Sequence, residues 1–194
     1  MENWGLVTYS PDLLYINKVD FGERWVADAA NFIGHEIMHQ WTGNLITCTW
    51  WDELWINEAF AEMGAYLALS YFEPEWNAIN EIVEWDLFYA LRSDALIYSR
   101  PIINKQNNDD YLVESPVSIA RQFDSVAYSK GALILRMTIH VMEEKRWQWG
   151  MQKYLAENQY SNTDGSIYFR YMQEAFGNIL PTDKKWDVIQ SSEN

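Results

Sequence analysis

The chain has 194 residues, 48% hydrophobic and 16% aromatic, with 11 Trp and 12 Tyr, a composition that excludes an intrinsically disordered protein. Its formal net charge of -14 argues against nucleic acid and anionic membrane surfaces as partners, because both carry charge of the same sign. The single cysteine, Cys48, excludes an intrachain disulfide and a cysteine-based zinc cluster, so any metal must be held by histidine and carboxylate.

The first residues predict a short β segment. The stretch "GLVTYSPDLLYI", residues 5–16, is rich in apolar and β-branched residues and is broken at Ser10 and Pro11, which indicates a strand, a turn and an extended piece. A lone strand is unstable without neighbours, so we expect more chain upstream of it. Neither a signal peptide nor an apolar run of about 18 residues is visible, so no direct membrane span is expected and the compartment stays open.

The rest of the chain predicts helices, because apolar residues recur at helical spacing between loop signals. These helices are expected at about 24–42, 54–71, 75–89 or beyond, 118–122, 125–144, 147–157 and 167–176. Two stretches read as loops, the proline-bounded 100–116 and the linker "NQYSNTDGS" at 158–166. The sequence therefore predicts a mainly α fold.

The stretch "FIGHEIMHQW", residues 32–41, holds two of the chain's three histidines. His35 and His39 lie four residues apart on the first long helix, and four residues advance a helix by about 400° and 6 Å, so both imidazoles project from one face. Glu36 directly follows the first histidine. In this HExxH arrangement the histidines ligate Zn²⁺ and the glutamate acts as general base, so we expect one zinc ion per chain.

A third ligand is expected from the second helix. Glu58 follows His39 with 18 residues between them, and a helical hairpin of that length returns its carboxylate to the first helix. Three protein ligands and one open position are typical of a catalytic zinc site. Glu62, one turn further on, is the candidate acceptor for a ligand imidazole N–H, with Asp52 and Glu53 as alternatives.

Other readings of these residues are less specific. HExxH also arises by chance, in which case the residues are core or surface polar groups. The lone His140, on a later helix among apolar residues, is expected to be structural, and Lys130 to be a solvated or capping charge. The tryptophans are expected to pack in the core and the groove rather than to bind a cofactor: Trp41, Trp50, Trp51 and Trp55.

Three stretches resemble the zinc aminopeptidases of the aminopeptidase N type, which are gluzincins. "HEIMHQWTGNLITCTWWDELWINEAFA" is similar to that family's HELAHQWFGN and WW..LW.NEGFA segments, including the interval of 18 residues. "MENWG" resembles the GAMEN motif, and "FDSVAYSKGALILRM" resembles FD..SY.KG...LRM. Departures at Thr42, Ala59 and Cys48–Thr49 touch no ligand, so they bear on substrate preference and local packing more than on chemistry.

The resemblance implies the helical part of a thermolysin-like zincin catalytic domain with a short β segment at its N-terminus. Residues 1–20 would end the β portion and residues 21–194 would form the helical portion, so the chain is expected to be a partial catalytic domain. The family includes membrane-anchored extracellular and cytoplasmic members, which leaves the localisation open.

The resemblance also implies roles for individual residues. Glu36 and Tyr128 would be catalytic, the tyrosine stabilising the oxyanion formed at the scissile carbonyl. Glu2 and Asn3 would bind substrate, with Glu2 on the free α-amino group of a peptide. The expected activity is removal of N-terminal residues from peptides.

Two alternatives stay open. One is a related gluzincin hydrolase with endopeptidase or dual activity, although Glu2 argues against an endopeptidase. The other is a non-catalytic fragment or binding module that retains the motif but lacks the walls of the cleft.

Overall fold

A computed structural model describes residues 1–14, 18–103 and 112–177, with only the backbone described at 18–21 and 23. Helices dominate it, as the sequence predicted. Their bounds are α1 (Pro11–Leu14), α2 (Lys18–Met38), α3 (Leu54–Phe72), α4 (Ala78–Glu81), α5 (Leu87–Asp94), α6 (Pro116–Ala120), α7 (Gly131–Met142), α8 (Glu144–Asn158) and α9 (Gly165–Gly177). Short 3₁₀ turns lie at Trp51–Glu53 and Pro74–Trp76, and π-helical turns at Ile82–Asp86 and Val126–Lys130.

The sheet of the described residues is short and does not lie where the sequence placed a strand. Strands β1 (Ile46–Cys48) and β2 (Ser161–Thr163) pair in parallel, with Ile46 opposite Ser161. The late linker at 158–166 therefore contains a strand, which three polar residues do not signal. Residues 5–10 form neither helix nor strand, and α1 begins at Pro11, since the described segment beside them is the helix α2, which cannot complete a strand ladder. The boundary at residue 20 stays a prediction.

Helices α2 and α3 approach each other closely. A Cβ on Gly64 would lie 2.4 Å from Cγ of Met38, and one on Gly34 would lie 3.3 Å from Cα of Ala65. Replacing both glycines by residues that carry a Cβ atom would push the two helices apart. The glycines therefore let the end of α2 face the first turns of α3.

Helix α3 is the centre of the core. Most of its first half is buried, and it packs against a cluster of large side chains from the later helices: Leu135, Met142, Tyr154, Tyr168 and Met172. Burying side chains of this size stabilises a fold by about 1.5 to 3 kcal/mol each. The polar residues of α3 are thus held on a rigid element.

The tryptophans divide between two environments. Trp55 is buried, and its indole N–H donates to the Glu53 carboxylate at 3.0 Å. Trp41, Trp50 and Trp51 are partly exposed, although the Trp50 indole donates to the Val113 carbonyl at 2.7 Å. In the described ranges no helix combines the length and the apolar character that a bilayer crossing requires.

Candidate metal centre

His35 and His39 lie together at the end of α2. His35 is in the last turn, and the backbone N–H of His39 donates to the His35 carbonyl at 3.1 Å, which continues the helical geometry for one more residue. The two Nε2 atoms are 3.0 Å apart, and both side chains are buried. The four-residue spacing therefore brings both imidazoles to one point, as the sequence predicted.

Glu58 on α3 completes a triangle with them. Its Oε2 lies 3.3 Å from Nε2 of His35 and 3.2 Å from Nε2 of His39, and its side chain is buried. A tetrahedral zinc ion holds its nitrogen and oxygen ligands about 3.3 to 3.5 Å from one another. These three atoms therefore have nearly the spacing of one face of such a tetrahedron. Across the part of the chain that the structure describes, this is the group of side chains able to hold a metal ion.

The outer nitrogen of each imidazole faces an oxygen. Nδ1 of His35 lies 3.0 Å from Oε2 of Glu62, and Nδ1 of His39 lies 2.9 Å from the carbonyl of Thr42. An oxygen acceptor at Nδ1 favours the tautomer that carries its proton there, which leaves the Nε2 lone pair for a metal. Two such lone pairs 3.0 Å apart in a buried site repel unless a cation lies between them, so the donor set fits zinc.

The turn after α2 holds the second of these contacts. Gly43 has φ 128°, a left-handed conformation, and a Cβ there would lie 3.0 Å from Nδ1 of His39. Only glycine adopts this backbone without strain. The turn presents the Thr42 carbonyl to His39, a contact that a sequence motif of side chains does not reveal.

Without a metal, charge in the triangle is shared between His35 and the glutamates. Burial disfavours the imidazolium, but hydrogen bonds to Glu58 and Glu62 outweigh it and raise the pKa of His35 to about 9. Burial also acts to raise the pKa of Glu58, but hydrogen bonds to His35 and His39 lower it to about 2. The site is therefore built for a positive charge at its centre.

Glu36 directly follows His35 in the last turn of α2, and its charge acts on Tyr128 beside the triangle. Its Oε2 is buried and forms an ion pair with the α-ammonium group of Met1, with the nitrogen 2.9 Å away. Its backbone carbonyl accepts from the Gln40 side chain at 3.0 Å. Its carboxylate is thus free of other side-chain hydrogen bonds in the described structure.

Tyr128 lies on the other side of His35. Their rings stack with centroids 5.8 Å apart and an angle of 15° between planes. Burial raises the pKa of Tyr128 well above its usual range, and the charge and hydrogen bonding of Glu58, together with the charges of Glu2 and Glu36, raise it further. The phenol therefore stays a neutral O–H donor throughout the physiological pH range.

Glu2 is held near the centre by its backbone. Its carbonyl accepts from the side-chain amides of Gln40 at 3.0 Å and Asn44 at 2.6 Å, both within the motif around His39. The negative charge of the Glu2 carboxylate acts on Tyr128 and contributes to the raised pKa of its phenol. Asn3 is exposed, and its carbonyl accepts from the Leu6 N–H at 3.1 Å. Gln40 and Asn44 were not singled out from the sequence, although both lie in the quoted motif.

The alternatives to Glu62 lie elsewhere. The Glu53 carboxylate accepts from the Trp55 indole and from the backbone N–H of Gly165 at 3.1 Å, and burial raises its pKa to about 7 despite these bonds. Burial also raises the pKa of Asp52. Lys130 pairs with Asp94 at 2.9 Å, and His140 is exposed on α7. Of the three carboxylates considered, Glu62 is the one that contacts an imidazole of the triangle.

Two histidines four residues apart with a glutamate from the next long helix are the donor set typical of zinc metallopeptidases. The family model described as the peptidase family M1 domain matches residues 1–187. The chain therefore belongs to peptidase family M1, a family of zinc metallopeptidases, and the resemblance seen in its motifs is confirmed.

Several curated relatives carry aminopeptidase names. Aminopeptidase N of Bos taurus is 37% identical over 180 residues, which are 93% of this chain and 18% of that protein. Aminopeptidase Ey of Gallus gallus is 40% identical over 179 residues, 90% of this chain and 18% of that protein. Glutamyl aminopeptidase of Mus musculus is 35% identical over 191 residues, which are 98% of this chain and 19% of that protein. The chain thus spans about a fifth of the length of these relatives.

Proposed function

We propose that this chain forms the zinc-bearing part of an aminopeptidase, which hydrolyses the first peptide bond of peptides with a free N-terminus. The observation that carries the proposal is the meeting of His35, His39 and Glu58 at one buried point, with Glu36 and Tyr128 beside it. The aminopeptidase names of the relatives support it.

His35, His39 and Glu58 would hold one Zn²⁺ per chain, with Glu62 and the Thr42 carbonyl orienting the imidazoles. When bound, the ion supplies Lewis acidity, which polarises a peptide carbonyl and makes water more acidic. The tilt of each imidazole is set by its Nδ1 contact, so the two Nε2 atoms are directed to one point before any metal arrives.

Glu36 is the proposed general base. A carboxylate that directly follows His35 in the last turn of α2 would take a proton from the attacking water and pass it to the departing amine. Replacing Glu36 by glutamine keeps the shape and the polarity of the side chain but removes its basicity.

Tyr128 is the proposed hydrogen-bond donor to the substrate carbonyl oxygen as negative charge develops there. Its raised pKa keeps the proton on the phenol, which is the form that a donor needs. The contact with His35 fixes its ring over the ligand set.

Glu2 is the proposed partner of the substrate's α-ammonium group, with Asn3 beside it. A carboxylate held near the cleavage point gains a charge-assisted hydrogen bond from a terminal amine, and an internal peptide bond offers no such cation. This preference favours an aminopeptidase over an endopeptidase.

The test is hydrolysis of an aminoacyl chromogenic amide by the zinc-loaded protein. We expect turnover of the free-amine substrate, little turnover of its N-acetylated form, and a loss of about 100- to 10,000-fold in Glu36→Gln with zinc still bound. Glu75→Gln, a change at an exposed glutamate, is the matched control and should keep full activity. Bound zinc with no turnover in the unmodified protein would overturn the proposal in favour of a binding module.

A further inference from the structure

The turn that carries Tyr128 is organised by Asp124. Oδ1 of Asp124 accepts from the backbone N–H groups of Val126 at 3.1 Å and Ala127 at 3.0 Å. The N–H of Tyr128 donates to the Asp124 carbonyl at 3.1 Å. One residue thereby fixes three consecutive N–H groups, so a displacement of Asp124 would move Tyr128 as well.

Asp124 is in turn held by Arg100 through two parallel hydrogen bonds. Nη2 of Arg100 lies 2.6 Å from Oδ1 of Asp124, and Nε lies 2.9 Å from Oδ2. The remaining guanidinium contacts go to backbone carbonyls, that of Gln122 at 3.1 Å and that of Pro101 at 3.1 Å. A guanidinium bound to a carboxylate at two points fixes direction as well as distance, which a lysine ammonium cannot do.

Two more contacts join the same two parts of the chain. The hydroxyls of Ser93 and Ser125 are 2.6 Å apart, and Nζ of Lys130 lies 2.9 Å from Oδ1 of Asp94. Together with the Arg100 pair, they fasten residues 124–130 to residues 93–100 at three places. Tyr128 lies between the fastened positions.

The pair is better suited to setting geometry than to adding stability. The Arg100 side chain is only 11% exposed, so its desolvation offsets much of the attraction to Asp124. Tyr128 lies in a π-helical turn, a form of helix that is rare and often found at functional sites. An irregular turn needs outside contacts to keep one conformation.

We propose that Arg100, acting through Asp124, is a positioning residue that holds the Tyr128 hydroxyl in place over the His35–Glu58 pair. The inference rests on the proposed function, because Tyr128 matters there as the donor to the substrate carbonyl oxygen. Arg100 itself touches neither the ligand triangle nor Tyr128 in the described contacts, so its effect passes through the backbone of the turn.

The kinetic test is a double-mutant cycle on the zinc-loaded protein with Arg100→Lys, Tyr128→Phe and the double variant. A shift of about 1 Å at a reacting group costs up to about 100-fold, so we expect Arg100→Lys to lower kcat roughly 10- to 100-fold at unchanged KM and zinc content. In the Tyr128→Phe background the same change should cost almost nothing more. An equal loss in both backgrounds, or no loss in either, would overturn the inference.

A second measurement needs no turnover. The amides of Val126 and Ala127 donate to Asp124, so amide hydrogen exchange of residues 124–130 reports directly on whether the turn is held. We expect faster exchange there in Arg100→Lys, and in Asp124→Asn, which keeps an oxygen acceptor but weakens the ion pair. Lys153→Met, which breaks an exposed ion pair with Glu174, is the matched control and should change neither exchange in this turn nor kcat.

The two measurements separate the possible failures. If the unmodified protein shows no hydrolysis, the proposed function fails, and amide hydrogen exchange of residues 124–130 is then the test of whether Arg100 holds the turn. Faster exchange in the Arg100 variant then supports the holding of the turn, and unchanged exchange overturns it. If Arg100→Lys does not fold, Asp124→Asn takes its place in both experiments with the same expected results.

Discussion

At the scale of single residues, the proposed metal centre depends on the contacts behind His35 and His39 as much as on the three side chains of the triangle. The imidazoles of His35 and His39 are directed by Glu62 and by the Thr42 carbonyl. The first partner was predictable, because a carboxylate one turn after Glu58 lies on the same helix face. The second was not, since a backbone carbonyl reaches His39 only through the left-handed turn at Gly43.

Glu62→Gln should weaken zinc binding about 10- to 100-fold, because an amide is a poorer acceptor for the His35 N–H than a carboxylate. Competition with a chromogenic zinc chelator measures the affinity. Glu73→Gln, at an exposed position just after α3, is the control and should leave the affinity unchanged. Equal affinities in the protein and in Glu62→Gln would contradict the orienting role.

Zinc binding should strengthen as pH rises from about 6.5 to 9. The pKa of His35 is raised to about 9 in the metal-free site, so below that pH the metal must displace a proton. Each pH unit in this window should raise the affinity by up to about tenfold, as expected for one displaced proton. Calorimetry in buffers of different ionisation enthalpy should detect a proton released on zinc binding.

The metal-free protein should show the opposite trend. A histidine whose pKa is raised on folding contributes stability that is complete below its unfolded value of 6.5 and is lost as pH rises towards 9. Thermal unfolding of metal-free protein at pH 6.5 and 9 should therefore show a lower Tm at the higher pH. The contribution of Glu58, with its pKa lowered to about 2, is lost only as pH falls below about 4.5 and leaves this window unaffected. A pH effect that persists in full in His35→Gln would contradict this assignment, and His140→Gln is the exposed control.

At the scale of elements, the sequence predicted α3 almost to the residue, as 54–71 against the observed Leu54–Phe72. The prediction of α3 has a physical basis, because a continuous apolar run between loop signals is typical of a buried central helix. The third predicted helix, at about 75–89, agrees less well with the structure. The structure divides it into α4, a π-helical turn and α5, and apolar spacing does not register an extra residue inserted into a helix.

The close approach of α2 and α3 predicts that Gly64→Val weakens both folding and zinc binding. The added Cβ would lie 2.4 Å from Met38 Cγ, and overpacking of this kind costs about 1 to 3 kcal/mol of unfolding free energy. Met38→Ala in the same chain should restore part of the loss, because it removes the atoms met by the new side chain. Gly177→Ala, where no atom lies within 4 Å of the new Cβ, is the control. Urea unfolding together with zinc content tests the expectation.

The departure at Ala59 also has an explanation at this scale. Ala59 is fully buried, and a Cβ on Gly131 would lie 2.6 Å from its methyl group. The methyl at 59 therefore fits because residue 131 is glycine, and α3 and α7 stay in close contact. The departure at Thr42 lies at the site itself, but the group used there is the backbone carbonyl, which every residue carries.

For the molecule as a whole, the mainly α class and the family could be predicted from the sequence because three specific motifs occur in order. The position of the first nine residues and the pairing of the two strands could not be predicted in this way. Residues 1–9 lie beside α2 and the turn after it, where the Trp4 indole donates to the Gln40 carbonyl at 3.4 Å, and β2 pairs with β1 across more than 100 intervening residues. Such long-range contacts leave no local pattern. Residues 15–17, 104–111 and 178–194 lie outside the described residues, so the sequence-based expectations for those parts stay predictions.

The central claim is that one zinc ion is held by His35, His39 and Glu58. Metal analysis with zinc X-ray absorption of the purified protein tests it most directly. We expect one zinc per chain bound by two imidazole nitrogens and a carboxylate oxygen, with zinc binding lost or strongly weakened in Glu58→Ala. Zinc bound to the same extent and with the same ligands in Glu58→Ala would contradict it.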